Sequence, residues 1–121
     1  MRLKVLPYRL YLARADAPPA SWEEAPFFAL IKAPEGLTLV AEKKLLPQGA
    51  RAEGPFVALA FEGPLPLAMI GVLGKVGSIL AEVGVSIFAY SAFETDYILV
   101  REKYLNLAKE ALTEAGYEIV E

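Results

Sequence analysis

The chain has 121 residues, of which 55% are hydrophobic and 22% are charged, and its formal net charge is -3. This length and composition fit one compact domain or two small modules. The weak negative charge offers no attraction for phosphate backbones or anionic lipids, so we expect neither nucleic-acid nor membrane partners. Because Cys and His are both absent, disulfides, thiolate nucleophiles, cysteine-ligated zinc and the commonest general base are excluded.

The N-terminal residues do not have the pattern of a targeting segment. Arg9 and Arg14 interrupt the apolar run that a secretory signal needs, so we expect a cytoplasmic protein. Elsewhere, Pro, Gly and charged residues break every apolar stretch before it reaches about 18 residues, which predicts no membrane span.

The first half of the chain predicts short strands rather than helices. Alternation over 8–12 indicates a strand, and the segments 27–32 and 37–42 indicate a hairpin. Between them, the Pro-rich stretch 16–26 has room only for a short helical turn. A linker is expected at 47–54, where no periodic pattern continues.

The second half carries clearer periodicity. In chain order it predicts a strand at 56–61, a helix at 71–83 ended by Gly84, a hairpin of 85–93 and 97–101, a helix at 104–115 and a strand at 117–120. This βαββαβ order is typical of the ferredoxin-like α+β fold, in which both helices cover one face of an antiparallel sheet. We interpret the first half as a reduced copy of this unit, and predict a reduced module at 1–54 and a full module at 55–121.

Three glycines recur at three-residue steps at and after the start of the predicted helix. They are Gly71, Gly74 and Gly77, and each costs a helix about 1 kcal/mol relative to alanine. We interpret them mainly as positions of close packing against the sheet or a second chain. Gly71 is the exception, because a helix that starts there leaves the N–H groups of Val72 and Leu73 open to a carboxylate.

The segment 61–112 resembles the ACT-domain proteins of the CASTOR-like group, small two-module proteins akin to the regulatory domains of aspartate kinases. The residues that carry the resemblance are Gly63-Pro64-Leu65, Gly71-Val72-Leu73, Leu80-Ala81-Glu82, Gly84, Ser86-Ile87-Phe88-Ala89, Ser91 and Thr95-Asp96-Tyr97-Ile98-Leu99-Val100. The N-terminal half matches the family pattern more weakly, over 28–40.

The resemblance implies a regulatory protein without catalytic activity, cofactor or metal, which binds an amino acid or similar small metabolite where modules meet. It also implies ligand-binding residues in the loop before the helix, in its first turn and on the facing hairpin. These are Met69, Ile70, Gly71, Val72, Leu73, Ser86, Ser91, Thr95 and Asp96.

The hairpin residues each have a structural interpretation beside the ligand-binding one. Asp96 is either a turn residue that caps nearby backbone or the partner of a cationic group on the ligand. Ser91 and Thr95 are cross-strand hydrogen-bonding residues or ligand contacts, with the structural role favoured for Thr95. Ser86 can satisfy local backbone. Outside the hairpin, Trp22 is interpreted as an aromatic packed onto a core, with a lid or partner contact as the alternative.

Three functional hypotheses follow. The leading one is a small-molecule-binding regulator that forms a homodimer, in which the sheets of the modules join edge to edge or face to face. The second is a protein–protein interaction module with a degenerate ligand site, which the apolar residues Ala33, Ala92 and Phe93 would permit. An enzyme comes third, because no spacing in the chain pairs two carboxylates for acid–base chemistry.

Overall fold

The computed structural model describes residues 1–62 and 71–121. In chain order its strands and helices are β1 (Arg2–Val5), β2 (Leu10–Ala15), β3 (Ala29–Ala33), β4 (Gly36–Glu42), β5 (Ala52–Phe61), α1 (Val72–Glu82), β6 (Ile87–Ser91), β7 (Asp96–Arg101), α2 (Leu105–Glu114) and β8 (Glu118–Val120). The chain divides into two compact units. We call Met1–Pro7 with Val57–Glu121 the C-terminal unit, and Tyr8–Phe56 the N-terminal unit.

The sheet of the C-terminal unit has the strand order β8-β1-β5-β7-β6. Strand β1 is antiparallel to β5, with Leu3 opposite Phe61, and parallel to β8, with Leu3 opposite Ile119. When β1 is left out, the strand order is β8-β5-β7-β6. This is the order of the predicted βαββαβ fold. The mixed α+β architecture is therefore confirmed, and β1 is an additional strand that the sequence patterns did not predict.

Both helices of the C-terminal unit pack on the same face of its sheet. Alternate residues of the strands form one buried cluster with the helices. The strand members of this cluster are Leu3, Leu59, Phe61, Ile98 and Val100. The helical members of that cluster are Val76 and Leu80 of α1 with Ala108 and Leu112 of α2. Their spacing of four residues is the reason that one stripe of each helix is apolar.

The glycines inside α1 do not mark a close packing contact among the described residues. A Cβ on Gly74 would meet no heavy atom within 4 Å, and a Cβ on Gly77 would meet Ile87 Cδ1 at an ordinary 3.8 Å. The interpretation of these two glycines as required by packing against the sheet is therefore wrong for the described part of the chain. Gly84 ends the helix as predicted, since its φ of 77° is left-handed and its N–H bonds to the Ala81 carbonyl.

The sheet of the N-terminal unit has the order β5-β2-β4-β3, with every pair antiparallel. The predicted hairpin is β3 with β4, in which Ile31 lies opposite Thr38. Short 3₁₀ turns at Trp22–Glu24 and Lys43–Leu45 stand where a ferredoxin-like unit has helices. The brevity of the first turn follows from the prolines that flank it.

The linker predicted at 47–54 is only partly correct. Strand β5 already begins at Ala52 and continues through Gly54 and Pro55 to Phe61. The register between β2 and β5 shifts between Leu10 and Leu12, and this irregularity lets a strand contain residues that usually end one.

Two tyrosines face each other across the β6–β7 hairpin and give a testable dependence on pH. The rings of Tyr90 and Tyr97 are 5.3 Å apart between centroids, and burial together with Tyr97 raises the pKa of the Tyr90 phenol. The unfolded chain, with a phenol pKa of about 10, loses this proton first, so the free energy of unfolding should fall as pH rises above about 10.

A Tyr90→Phe chain should lose less stability than wild type between pH 8 and pH 11, a range chosen to bracket a tyrosine pKa of about 10. Urea unfolding at the two pH values measures this difference. Tyr104→Phe, at a more exposed position, is the matched control and should keep the wild-type dependence. Equal losses in the wild-type and Tyr90→Phe chains would contradict the assignment.

Candidate functional site

The start of α1 has the geometry of a small anion site. Gly71 precedes the helix with a left-handed φ of 78°, and its carbonyl accepts the first helical bond from the Lys75 N–H at 2.9 Å. Among the described residues no side chain caps this helix, and no acidic residue lies in its first turn. The N–H groups of Val72 and Leu73 therefore lie at the positive end of the helix dipole without a competing carboxylate from that turn.

The start of α1 and the tip of the β6–β7 hairpin lie toward the same end of the C-terminal unit. The chain reverses at Gly84, and Gly77 sits above Ile87 at the beginning of β6. Gly71 lies about 9 Å before Gly77 along the helix. Ser91 lies about 13 Å beyond Ile87 along the strand. Because α1 runs against β6, both distances lead in the same direction.

The hairpin tip presents two predicted site residues on the face of the sheet that the helices cover. Ser91 lies opposite Asp96, and alternation places both on the side of Ile87 and Val100, which contact the helical core. Ser91 is exposed and Asp96 is half-buried. A hydroxyl and a carboxylate are thus available to a polar ligand beside the helix layer.

Thr95 has the structural role that the sequence favoured. Its hydroxyl donates to the Phe61 carbonyl at 2.7 Å, and its own carbonyl accepts the Ala92 N–H at 2.9 Å. These bonds fix the end of β5 beside the start of β7 and close the hairpin turn. Thr95 therefore positions the tip that carries Ser91 and Asp96.

Ser86 lies away from the other predicted site residues. It precedes β6, whereas Ser91 ends that strand, so the two are about 16 Å apart along it. The predicted residues Met69 and Ile70 lie outside the described residues. The structure thus places Gly71, Val72 and Leu73 at the same end of the C-terminal unit as Ser91 and Asp96.

A groove of about 320 Å³ opens beside the start of α1, on the side of α2. Its lining consists of Met1, Gly71, Val72, Lys75, Ala115, Gly116 and Tyr117. The polar side chains of Lys75 and Tyr117 are not among the site residues that the sequence predicts. The position of Lys75 could have indicated an anion site. A lysine so close to the start of a helix is unfavourable beside the positive end of the helix dipole unless an anion lies nearby.

The described residues show no other kind of site chemistry. They contain no cluster of three or more metal-ligating acidic, His or Cys side chains. Within the same ranges, 1–62 and 71–121, no helix is long and apolar enough to cross a membrane.

Comparisons with known proteins agree with this architecture. A family model described as ACT domain matches residues 51–114. A structural-genomics target from Agrobacterium tumefaciens is 28% identical with a TM-score of 0.88, over 98% of this chain and 91% of that one. A Vibrio cholerae protein of unknown function, described as a possible transport protein, is 22% identical with a TM-score of 0.77, over 93% and 88%.

The fold also occurs in the aspartokinase alpha and beta subunits, at 14% identity and a TM-score of 0.65, over 95% of this chain and 97% of that one. No curated protein matches the chain. ACT domains serve in general as regulatory, non-catalytic domains that bind small-molecule ligands. With more than half of its residues matched by the family model, the chain belongs to the ACT-domain family.

Proposed function

We propose that the chain is a cytoplasmic, non-catalytic regulator of the CASTOR-like group, which binds an amino acid and acts as a homodimer. The start of α1 carries this proposal. A helix start at a left-handed glycine, with no side-chain cap from the described residues and no acidic residue in its first turn, suits a carboxylate. Lys75 lines the groove beside this helix start, together with Gly71 and Val72, and adds a positive charge there.

The proposed ligand is held at two points. Its carboxylate accepts hydrogen bonds from the N–H groups of Val72 and Leu73, and its ammonium or cationic side chain pairs with Asp96. Ser91 contributes a hydroxyl to the same polar surface, Thr95 positions the tip that carries it, and Met69 and Ile70 are proposed as further contacts, whereas Ser86 is too far from Ser91 to take part. A charged group at each end of the ligand would select zwitterions over simple anions.

The proposal includes two ACT modules, one reduced and one full. Support comes from the N-terminal unit, because its order β5-β2-β4-β3 repeats the order of the ferredoxin-like strands in the C-terminal unit. Its helices have shrunk to 3₁₀ turns. We retain the division near 54 and 55 for the modules, with β1 donated from the first module to the compact core of the second.

Calorimetric titration against each of the twenty standard amino acids, with thermal unfolding of the same mixtures, tests ligand binding. At least one amino acid should release heat and raise Tm, because a ligand that binds the folded state stabilises it. No heat and no change in Tm at millimolar concentrations of every amino acid would contradict the proposal.

Two glycine substitutions at opposite ends of α1 locate the binding site. Gly71→Ala and Gly84→Ala both place a Cβ at a left-handed residue, with φ of 78° and 77°, where no heavy atom of the described residues lies within 4 Å. Each should therefore cost similar stability, about 1–2 kcal/mol. Only Gly71→Ala should weaken amino-acid binding, by about tenfold or more, since a strained helix start moves the N–H donors. Equal affinities in the two variants would place the ligand elsewhere.

A protein–protein interaction module with a degenerate ligand site is the second candidate function. One observation favours it, namely that Phe93 in the turn between β6 and β7 is 81% exposed. An aromatic side chain so exposed at a hairpin tip is suited to burial against a partner. Under this alternative, Phe93→Ser would abolish partner capture while the calorimetric titrations stayed silent.

A further inference from the structure

A groove in the N-terminal unit lies where its two shortened helical segments leave space. In the C-terminal unit, α1 and α2 bury their apolar side chains together over the sheet. The N-terminal unit has 3₁₀ turns of three residues instead, Trp22–Glu24 and Lys43–Leu45, and each rises only about 6 Å. A groove of about 230 Å³ remains, and residues of both turns and their flanks line it.

The groove combines an apolar part with two opposite charges. Leu45 is 7% exposed and Ala25 is half-buried, so these two side chains supply the apolar surface. Glu24 from the first turn and Lys44 from the second also line the groove. Ser21 adds a hydroxyl that does not cap the turn that follows it.

The carboxylate and the ammonium group in this groove do not neutralise each other. Within residues 1–62 and 71–121, neither the Glu24 side chain nor the Lys44 side chain forms an ion pair or a hydrogen bond. Each is therefore available to an opposite charge from solution. A simple anion would be attracted by Lys44 and repelled by Glu24, and a simple cation would meet the reverse. A molecule that carries both charges can pair with both side chains.

An aromatic contact holds the first turn from its other side. Trp22 is 45% exposed and stacks on Phe28, with ring centroids 5.6 Å apart and planes 28° from parallel. The expectation that Trp22 is packed onto a core is therefore wrong. Both rings line a separate apolar groove to which Glu24 does not contribute, so the charged residue of the turn belongs to the groove that contains Lys44.

We propose that this groove binds a small zwitterion of the amino-acid type, with its ammonium group at Glu24 and its carboxylate at Lys44. The Ser21 hydroxyl offers a further hydrogen bond to the ligand. The volume of the groove is below the range of about 300–1,000 Å³ that holds drug-sized ligands, which suits a molecule of few heavy atoms. This site lies entirely within the N-terminal unit and does not depend on the site proposed at the start of α1.

An amide NMR titration of the full chain with glycine, β-alanine and γ-aminobutyrate tests the proposal. The three probes differ only in the number of methylenes between their charges, and low ionic strength leaves the exposed charges of the groove unscreened. At least one probe should shift the amides of Ser21, Glu24 and Lys44. Acetate and methylammonium carry one charge each and should bind about tenfold or more weakly. No shift at these amides with any zwitterion, or equal binding of acetate, would overturn the proposal.

An exchange of the two charges gives a second test. Glu24→Gln and Lys44→Gln should each weaken binding about tenfold, because each leaves one end of the probe unpaired. Glu24→Lys combined with Lys44→Glu should restore binding, because a zwitterion can bind in the reversed orientation. An exchanged chain that no longer binds would overturn the proposal.

The matched control is Glu23→Lys combined with Lys43→Glu. Both residues are exposed on the same two turns and do not line the groove, so binding should stay at the wild-type level. Gly71→Ala should also leave this affinity unchanged. Loss of binding in either chain would contradict the location of the site.

Discussion

Replacing Leu3 with alanine should lower the free energy of unfolding by about 2–5 kcal/mol, the range for truncating a buried leucine. Leu3 is fully buried among Phe61, Ile119 and the helical residues of the C-terminal core, although it is only the third residue of the chain. Urea denaturation followed by circular dichroism measures the change. The result tests whether the first strand is an integral part of a core that otherwise comes from 57–121.

Leu107→Ala is the control for this prediction, because Leu107 is a leucine at an exposed position of α2. It should change stability by less than about 0.5 kcal/mol. If Leu3→Ala were as mild as Leu107→Ala, β1 would not belong to the folded core.

Replacing Gly54 with alanine should destabilise the chain by about 3 kcal/mol, the sum expected for a forbidden backbone conformation and an overpacked site. Gly54 has a φ of 143°, and a Cβ there would lie 2.8 Å from Tyr11 Cδ2 and 2.9 Å from the Leu10 carbonyl oxygen. The tyrosine ring can move, but the backbone carbonyl is held in β2. The substitution must therefore disturb the pairing of β2 with β5.

Gly74→Ala is the matched control and should change stability in the opposite direction. Gly74 lies inside α1, and a Cβ added there would meet no heavy atom of the described residues within 4 Å. Alanine at this position should therefore stabilise the chain by about 1 kcal/mol through helix propensity. Thermal unfolding of the two variants gives the comparison. A neutral Gly54→Ala would contradict the close approach of β2 to Gly54.

Local periodicity was sufficient to predict most elements of the C-terminal unit. The helix expected at 71–83 spans Val72–Glu82, and that expected at 104–115 spans Leu105–Glu114. Both carry apolar residues at helical spacing and both are followed by a left-handed glycine. Such signals lie within one or two turns of the residues they specify, so they do not depend on long-range contacts.

The elements that were missed depend on contacts far along the chain. Strand β1 has only four residues, and its alternation of Leu3 and Val5 with charged neighbours is too short to stand out. Its place between β5 and β8 follows from partners more than 50 residues away. The continuation of β5 through Gly54 and Pro55 likewise needs the irregular register of β2.

In the candidate site, too, local features could be predicted from the sequence and features that depend on distant residues could not. The glycine at the helix start and the turn role of Thr95 could be predicted from residue type and position. The separation of Ser86 from Ser91 follows once the hairpin register is known, since they lie at opposite ends of β6. The contribution of Tyr117 to the groove could not be predicted, because it comes from the turn after α2.

We propose that the start of α1 and the hairpin tip bind an amino acid together. The most direct test is a two-dimensional amide NMR titration with the amino acid that gives the largest calorimetric heat. The largest shifts should occur at Val72 and Leu73, with further shifts at Ser91 and Asp96. Shifts confined to the N-terminal unit, or absent at the start of α1 in a saturated sample, would contradict the claim.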